Sequence, residues 1–195
     1  MKRTTVFMVS LALVCVWAGS AAAQSRKGRP KPASGAPETV IYDAASAMAF
    51  LASTSGAWES GSGEHEHGGP AAGPRSLVTV ETKAAGSAVV ETYAAGTPGE
   101  METIFHMDGE QLLLTHYCVL QNAPVLRFEK SSKPGELRFV FQGGTNFDPN
   151  VDAHLHETTI QIKDKDTVEQ TSTVYSKGKA SPERRTVLHR RSSTN

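Results

Sequence analysis

Short β-strand patterns, spaced at regular intervals from Leu77 onward, constrain this chain more than any other feature. Turn-forming pairs such as Ala85-Gly86, Asp108-Gly109 and Pro134-Gly135 separate them. Such runs predict antiparallel strands joined by hairpins. The predicted strands are residues 77–83, 87–93, 101–106, 112–118, 125–130, 137–142, 154–163, 167–175 and 184–191. The pattern is typical of an antiparallel barrel or sandwich, and a barrel is favoured because closure leaves no exposed edge.

The clearest predicted hairpin turns at Asp108-Gly109, where glycine tolerates a positive φ. We expect Met107 to face Glu110 across this turn, which sets the register of the two strands. Because side chains alternate between faces, one face collects a mostly apolar set that ends in polar groups. Its members are Phe105, Leu112, Leu114, His116 and Cys118.

Residues 1–23 have the organisation of a secretory signal peptide. A basic start, Met1-Lys-Arg, is followed by a short apolar run and by Ala21-Ala22-Ala23. We therefore expect cleavage after Ala23 and a periplasmic or secreted protein. A lipoprotein anchor at Cys15 is disfavoured, since Val14 is bulkier than the residue that such processing accepts. No second apolar stretch is long enough to span a membrane.

The charge balance bears on possible partners, and the cysteine content bears on how the fold is stabilised. Loss of residues 1–23 removes Lys2 and Arg3 and no acidic residue, which leaves 18 basic and 20 acidic residues. This balance gives no electrostatic basis for binding nucleic acid. Cys118 is then the only cysteine, so no internal disulfide can form. Stability must come from an apolar core.

The remaining chain is predicted to form one domain behind a leader. Residues 24–42, rich in proline, glycine and basic residues, predict a disordered segment. Asp43 is a predicted helix cap, and the apolar residues after it have helical spacing up to Gly56. We expect the short helix to plug or flank a single barrel domain covering residues 43–195.

The order of short helix, Gly56-Ala57-Trp58 and meandering strands resembles the calycin superfamily, which includes lipocalins and fatty-acid-binding proteins. In that fold a tryptophan closes one end of the barrel beneath an arginine from the last strand. The resemblance implies that Trp58 and Arg190 (or Arg191) fill these roles.

A more detailed resemblance, over about residues 43–175, is to bacterial exported lipocalin-like proteins of unknown function. The segments that carry this resemblance are Glu100-Met-Glu-Thr-Ile-Phe-His-Met-Asp-Gly109, Leu112-Leu-Leu-Thr-His-Tyr-Cys118, Asn122-Ala-Pro124, Thr145-Asn146 and His154-Leu-His156. The chain departs from that pattern at Ala123 and in the polar Ser53-Thr54-Ser55. The resemblance implies a lipocalin-like barrel and no agreed activity.

The candidate site is the predicted polar end of the barrel interior. Alternation places His154 and His156 on the inward face of their strand, as it does His116 and Cys118; Asn146 is a further candidate. Imidazole and thiolate groups can bind zinc or copper, and one histidine can hold a haem iron. Alternatively, these groups form a structural hydrogen-bond network, or they orient an organic ligand.

Other chemistry has less support in the sequence. His65-Glu66-His67 is a second possible metal-binding set, but a solvated glycine-rich loop is favoured there. Cys118 and His116 are neighbours on one face and do not usually form a nucleophile–base hydrogen bond. No nucleophile elbow, phosphate loop or dinucleotide fingerprint is present.

The expected function is a carrier or sensor of a small, mostly apolar molecule. The alternatives are a metal- or haem-binding barrel and a purely structural or interaction barrel.

Overall fold

The computed structural model describes residues 35–60 and 77–192. A 3-10 turn at Pro37–Thr39 precedes helix α1 at Ala44–Ser53, and a second 3-10 turn lies at Ala84–Gly86. The strands are β1 (Gly56–Ser60), β2 (Leu77–Lys83), β3 (Ala88–Tyr93), β4 (Met101–Asp108), β5 (Gln111–Tyr117), β6 (Ala123–Glu129), β7 (Glu136–Thr145), β8 (His154–Ile162), β9 (Thr167–Ser176), β10 (Lys179–Ala180) and β11 (Arg184–Arg190).

Ten of these strands form a closed antiparallel barrel. Strands β1 to β9 each pair with the next strand along the chain, β9 pairs with β11, and β11 pairs with β1. The two-residue strand β10 only extends β9. The predicted class, an antiparallel barrel behind a short helix, is confirmed. The strand β1 is an addition to the sequence prediction.

The register of the β4–β5 hairpin differs from the expectation by two residues. Asp108 pairs with Gln111 and Phe105 with Leu114, so the turn is formed by Gly109-Glu110. Gly109 has φ 60°, the conformation that a tight hairpin needs and that glycine adopts without strain. Because the shift is an even number of residues, the inward and outward faces are the predicted ones.

Helix α1 starts at the predicted cap. The Asp43 carboxylate accepts a bond of 2.8 Å from the Ser46 backbone N–H, and the Ser46 hydroxyl accepts from the Asp43 N–H in return. The helix buries Ala47, Met48 and Leu51 against the barrel core. It therefore closes one end of the barrel.

The folded part begins earlier than Asp43. Tyr42, placed in the disordered leader by the sequence prediction, is only 2% exposed, and the Val40 carbonyl accepts a 2.8 Å bond from the Gly135 N–H. The prediction is therefore wrong for residues 37–42, where one aromatic and one β-branched residue supply enough apolar surface to fix the segment.

The barrel has two distinct ends, which we call the helical end and the loop end. The helical end carries α1 and the tight β2–β3, β4–β5, β6–β7 and β8–β9 turns. The loop end carries the connections at residues 94–100, 118–122, 146–153 and 177–178. The most deeply buried residues form a continuous core that includes α1 and the inward faces of the strands.

Some sequence predictions fall outside the described residues. These are the signal peptide with its cleavage after Ala23, the Cys15 alternative, the leader up to residue 34 and the His65-Glu66-His67 set. Among the helices that the structure describes, none has the length and apolar character to cross a membrane.

Candidate functional site

The helical end is closed by Trp58 and Arg190. Trp58 is 2% exposed, and its indole N–H donates a 2.9 Å bond to the Thr54 carbonyl. The Arg190 guanidinium lies over the indole ring, 4.4 Å from the centroid, and donates to the Thr54 and Ser55 carbonyls at 3.4 and 3.1 Å. This is the contact that the calycin resemblance implies.

The polar Ser53-Thr54-Ser55 segment, a departure from the resembled pattern, ends α1. The Thr54 and Ser53 hydroxyls donate to helix carbonyls at 2.7 and 2.6 Å. The Thr54 carbonyl accepts from Trp58 and Arg190, and the Ser55 carbonyl accepts from Arg190. The segment thus satisfies the unpaired carbonyls at the helix C-terminus.

The barrel interior changes character between its two ends. Toward the helical end the inward side chains are apolar and at most 1% exposed: Val89, Phe105, Leu112, Leu114, Leu126, Leu137 and Phe139. Toward the loop end the inward positions become polar, and several of them are partly exposed: Tyr93, His116, Gln170 and Ser172. The inward face is therefore dry and apolar toward the helical end, and polar and less completely buried toward the loop end.

A hydrogen-bonded group crosses this polar half. The Tyr93 hydroxyl donates a 2.6 Å bond to Glu91 Oε2 and lies 3.2 Å from Gln170 Oε1. Gln170 belongs to β9, which three strands separate from β3 around the ring. Burial raises the pKa of Glu91, and the bonds to Tyr93 and Gln170 oppose that rise. Burial and the Glu91 charge also raise the pKa of Tyr93, which therefore keeps its proton at neutral pH.

His116 lies in the same polar half, where it bonds Thr103. The distance from His116 Nδ1 to Thr103 Oγ1 is 2.9 Å, and the two residues face each other across β4 and β5. Burial lowers the pKa of His116 to about 4, so the ring is neutral at pH 7. On the other side of the barrel, the Thr158 and Ser172 hydroxyls lie 3.1 Å apart.

A β-bulge in β8 interrupts the alternation from which His154 and His156 were placed. The pairing with β9 shifts between Leu155 and Glu157, so β8 contains one extra residue there. Leu155, expected on the outer face, packs against the core. The bulge breaks the strict alternation that linked His154 and His156 to Thr158, so the inward placement of the two histidines stays a prediction.

His154 and His156 belong to an aromatic cluster near the loop end. The His156 ring stacks on Tyr175, with centroids 3.7 Å apart, and on Phe141 at 4.9 Å. The His154 ring, 1% exposed, contacts Phe141 and Phe147 at 4.8 and 4.9 Å. The His156 ring thus stacks on two aromatic rings, and its nitrogen-bearing edge is the part available for hydrogen bonds.

The hydrogen bonds of the two histidines define their tautomers. His154 Nδ1 lies 2.9 Å from the Asp152 carbonyl, which can only accept, so this nitrogen carries the proton. His154 Nε2 then accepts from His156 Nδ1 at 3.1 Å. Burial and the neighbouring His154 lower the pKa of His156. In the neutral pair, His156 Nε2 is the nitrogen with a free lone pair among these contacts.

Cys118 and Asn146 lie in loops at the loop end. The half-buried Cys118 starts a turn in which its carbonyl accepts from the Gln121 N–H at 2.9 Å. Asn146, exposed and with φ 65°, donates from its side chain to the Gln121 carbonyl. Asn122, which is 6% exposed, donates to the Ala153 carbonyl at 2.8 Å. These bonds join the 118–122 loop to the 146–153 loop.

The predicted metal ligands His116, His154 and His156 do not form one cluster. His116 bonds Thr103, whereas His154 and His156 bond each other. In the described ranges, no set of three or more His, Cys, Asp or Glu side chains is arranged to hold a metal ion. A zinc or haem site therefore stays a prediction, and His156 Nε2 is the nitrogen at which a ligand bond would form most directly.

Sequence reasoning missed Glu91, Tyr93 and Gln170. A signal was present, because Val89, Glu91 and Tyr93 alternate on one face of a predicted strand. A carboxylate between two inward positions is costly to bury, so its position alone marks a site. The bond to Gln170 could not be found in this way, since it joins strands far apart in the chain.

Comparison with known proteins adds no functional information, so the geometry of the site is the main guide to function. No protein-family model matches the sequence, and no curated protein matches it significantly.

Proposed function

We propose that this chain is an exported small-molecule-binding protein, a periplasmic or secreted carrier or sensor of a small, mostly apolar ligand. The signal-peptide pattern of residues 1–23 supports export. The ligand lies in the barrel interior, with its apolar part toward Phe105 and Phe139 and its polar end toward Glu91 and His116. Apolar contacts supply affinity, and the few polar groups fix its orientation.

The partial exposure of inward-facing polar side chains carries this proposal. Tyr93, His116, Gln170 and Ser172 face inward, yet none of them is fully buried. Barrel diameter grows with strand number, and eight-stranded barrels already hold one small ligand. The ring here has ten strands, and its inward positions Thr103, Thr158 and Ser172 carry small side chains, which favours space for a ligand.

Binding of N-phenyl-1-naphthylamine, an uncharged dye that fluoresces in apolar surroundings, tests the proposal. We expect saturable fluorescence enhancement with one dye per chain, competed by compounds of similar size. The absence of saturable binding, together with native mass spectrometry that finds no co-purified small molecule, would remove the proposed function. That outcome would favour a structural or interaction barrel.

A pair of neighbouring variants locates the dye. Ser172 faces inward and bonds Thr158, whereas Thr173 faces outward beside Glu157. Ser172→Phe fills the interior and should weaken dye binding by about tenfold or more, while Thr173→Phe leaves it unchanged. Circular dichroism establishes that both variants are folded. Equal dye affinities in the two variants would place the dye outside the barrel.

The metal- or haem-binding alternative is tested on the same sample. Elemental analysis and a visible absorption spectrum of protein purified without a histidine tag report bound zinc, copper or haem. Stoichiometric metal or a haem band that disappears in His156→Ala would establish that alternative. Its basis is the free Nε2 lone pair of a histidine held in position by His154.

A further inference from the structure

Glu91 is a carboxylate in the barrel interior without a cationic partner in the described part of the chain. It is 6% exposed and lies on the inward face of β3, between Val89 and Tyr93. It bonds the Tyr93 hydroxyl and Gln170, both uncharged, and no described lysine or arginine is within ion-pair distance of it. A buried charge is costly unless a proton or an opposite charge neutralises it.

The groups that bond Glu91 are uncharged. The Tyr93 hydroxyl donates to Glu91 Oε2 at 2.6 Å, and a bond to Gln170 also favours the ionised carboxylate. Neither group neutralises a carboxylate charge in the interior. An ammonium group placed beside Glu91 would neutralise that charge and donate up to three hydrogen bonds.

The surroundings favour an organic cation over an anion. The Tyr93 ring offers a π face next to the carboxylate, and the apolar floor includes Phe105 and Val89. The neighbouring imidazole of His116 is uncharged at pH 7, since burial lowers its pKa to about 4, and so does not repel a cation. Tyr93 and Gln170, the two partners of the buried Glu91, are themselves only partly buried.

We propose that the barrel ligand carries a basic nitrogen, which pairs with the Glu91 carboxylate while its apolar part occupies the dry half of the interior. This inference rests on the proposed ligand-binding function and specifies its ligand class, an aliphatic or aryl-alkyl amine. Binding places the ligand ammonium beside the Glu91 carboxylate and so neutralises the charge of that buried group.

Competition against N-phenyl-1-naphthylamine with three eight-carbon probes tests this ligand class. Octylamine, octanol and octanoate share a chain and differ in the charge of the head group. At pH 7.5 octylamine should displace the dye at a concentration at least about tenfold below that of octanol, with octanoate weakest. Similar displacement by octylamine and octanol, or a preference for octanoate, would overturn the inference while the dye binding itself still supports the proposed function.

Two matched glutamate-to-glutamine variants test whether Glu91 causes the preference for octylamine. Glu91→Gln keeps the shape of the side chain and should remove the preference for octylamine, with dye binding retained. Glu102→Gln changes an outward-facing glutamate on the adjacent strand β4 and should preserve it. An octylamine preference that persists in Glu91→Gln would contradict the assignment. If Glu91→Gln does not fold, the three-probe comparison on the unmodified protein still decides, and failure of the dye to bind at all removes both proposals.

Discussion

The Arg190 guanidinium covers the Trp58 indole at 4.4 Å from its centroid while bonding two carbonyls at the end of α1. One side chain of the last strand thereby connects the first strand, the helix terminus and the closed end of the barrel. The salt bridge to Asp166, at 3.2 Å, adds the β8–β9 turn to this set of contacts.

Arg190→Ala should lower the free energy of unfolding by about 2–4 kcal/mol, because it removes a cation–π contact and leaves helix carbonyls without their donor. Chemical denaturation followed by tryptophan fluorescence measures the change. Arg184→Ala, at an exposed position of the same strand, should stay within about 0.5 kcal/mol of the unmodified protein. Equal effects of the two substitutions would contradict a specific role for the Trp58 contact.

Tyr93→Phe tests the bond across the barrel. Loss of the hydroxyl leaves Glu91 and Gln170 without a shared partner and should cost about 1–3 kcal/mol of unfolding free energy. Tyr117→Phe removes a hydroxyl from a side chain that is 51% exposed, and it should be nearly neutral. If both variants unfold at the same denaturant concentration as the unmodified protein, the crossing bond contributes no stability.

His116 should make stability depend on pH in the acidic range. Its pKa is about 4 in the folded protein and 6.5 unperturbed, so the unfolded chain binds more protons between these values. The contribution of His116 is complete above pH 6.5 and is lost as the pH falls toward 4. Relative to His116→Gln, the unmodified protein should lose about 2 kcal/mol of unfolding free energy between pH 7.5 and pH 5.

Denaturation series at several pH values provide that measurement. His106→Gln, which replaces an outward-facing imidazole on β4, controls for the loss of a histidine as such. Parallel pH profiles of the unmodified protein and His116→Gln would show that the ring is not held in its neutral form.

Replacement of each of two adjacent glycines in β7 by alanine should have different effects on the free energy of unfolding. A Cβ at Gly144 would lie 2.7 Å from the Ala123 carbonyl oxygen and 2.5 Å from the Phe147 ring, and its φ is +155°. Gly144→Ala should therefore cost more than about 2 kcal/mol, whereas Gly143→Ala meets no atom within 4 Å and should be neutral or slightly stabilising. Thermal unfolding of both variants gives the comparison, and a tolerated Gly144→Ala would contradict the tight packing of β6 on β7.

The tautomers of the histidine pair can be observed directly. At neutral pH, two-dimensional ¹H–¹⁵N spectra should show His154 and His156 both protonated at Nδ1, because the Asp152 carbonyl accepts from the first and His154 Nε2 from the second. Asp152 contributes only a backbone carbonyl, so Asp152→Ala should preserve the pattern. Protonation of His156 at Nε2 would contradict the chain of hydrogen bonds.

Turn chemistry and alternation were enough to predict most of the barrel. Gly109 and Gly135 mark real turns, and the inward face of β5 follows from Leu112 and Leu114. The alternation could not reveal the bulge in β8, because one extra residue leaves the hydrophobic pattern almost unchanged. Nor could it show that His116 bonds Thr103 whereas His154 and His156 bond each other, since these contacts depend on side-chain geometry.

Only some of the polar residues in the barrel interior could be predicted from the sequence. His116 was expected to face inward because it continues an apolar face, whereas the alternation of Val89, Glu91 and Tyr93 on one face of β3 was not used in the prediction. Their partner Gln170 comes from β9, and such a contact follows from barrel closure rather than from any local pattern.

The pairing of β1 with β11 has a consequence for how the chain reaches this state. Every other pairing in the ring joins strands that are consecutive or nearly so, and each can start as a local hairpin. The β1–β11 pairing alone has to bring together opposite ends of the domain, at the entropic cost of the longest loop. Until it forms, two unpaired edges are open to strands of other chains. The risk of aggregation during biosynthesis therefore depends on how soon β11 becomes available to pair with β1, in addition to the stability of the finished barrel.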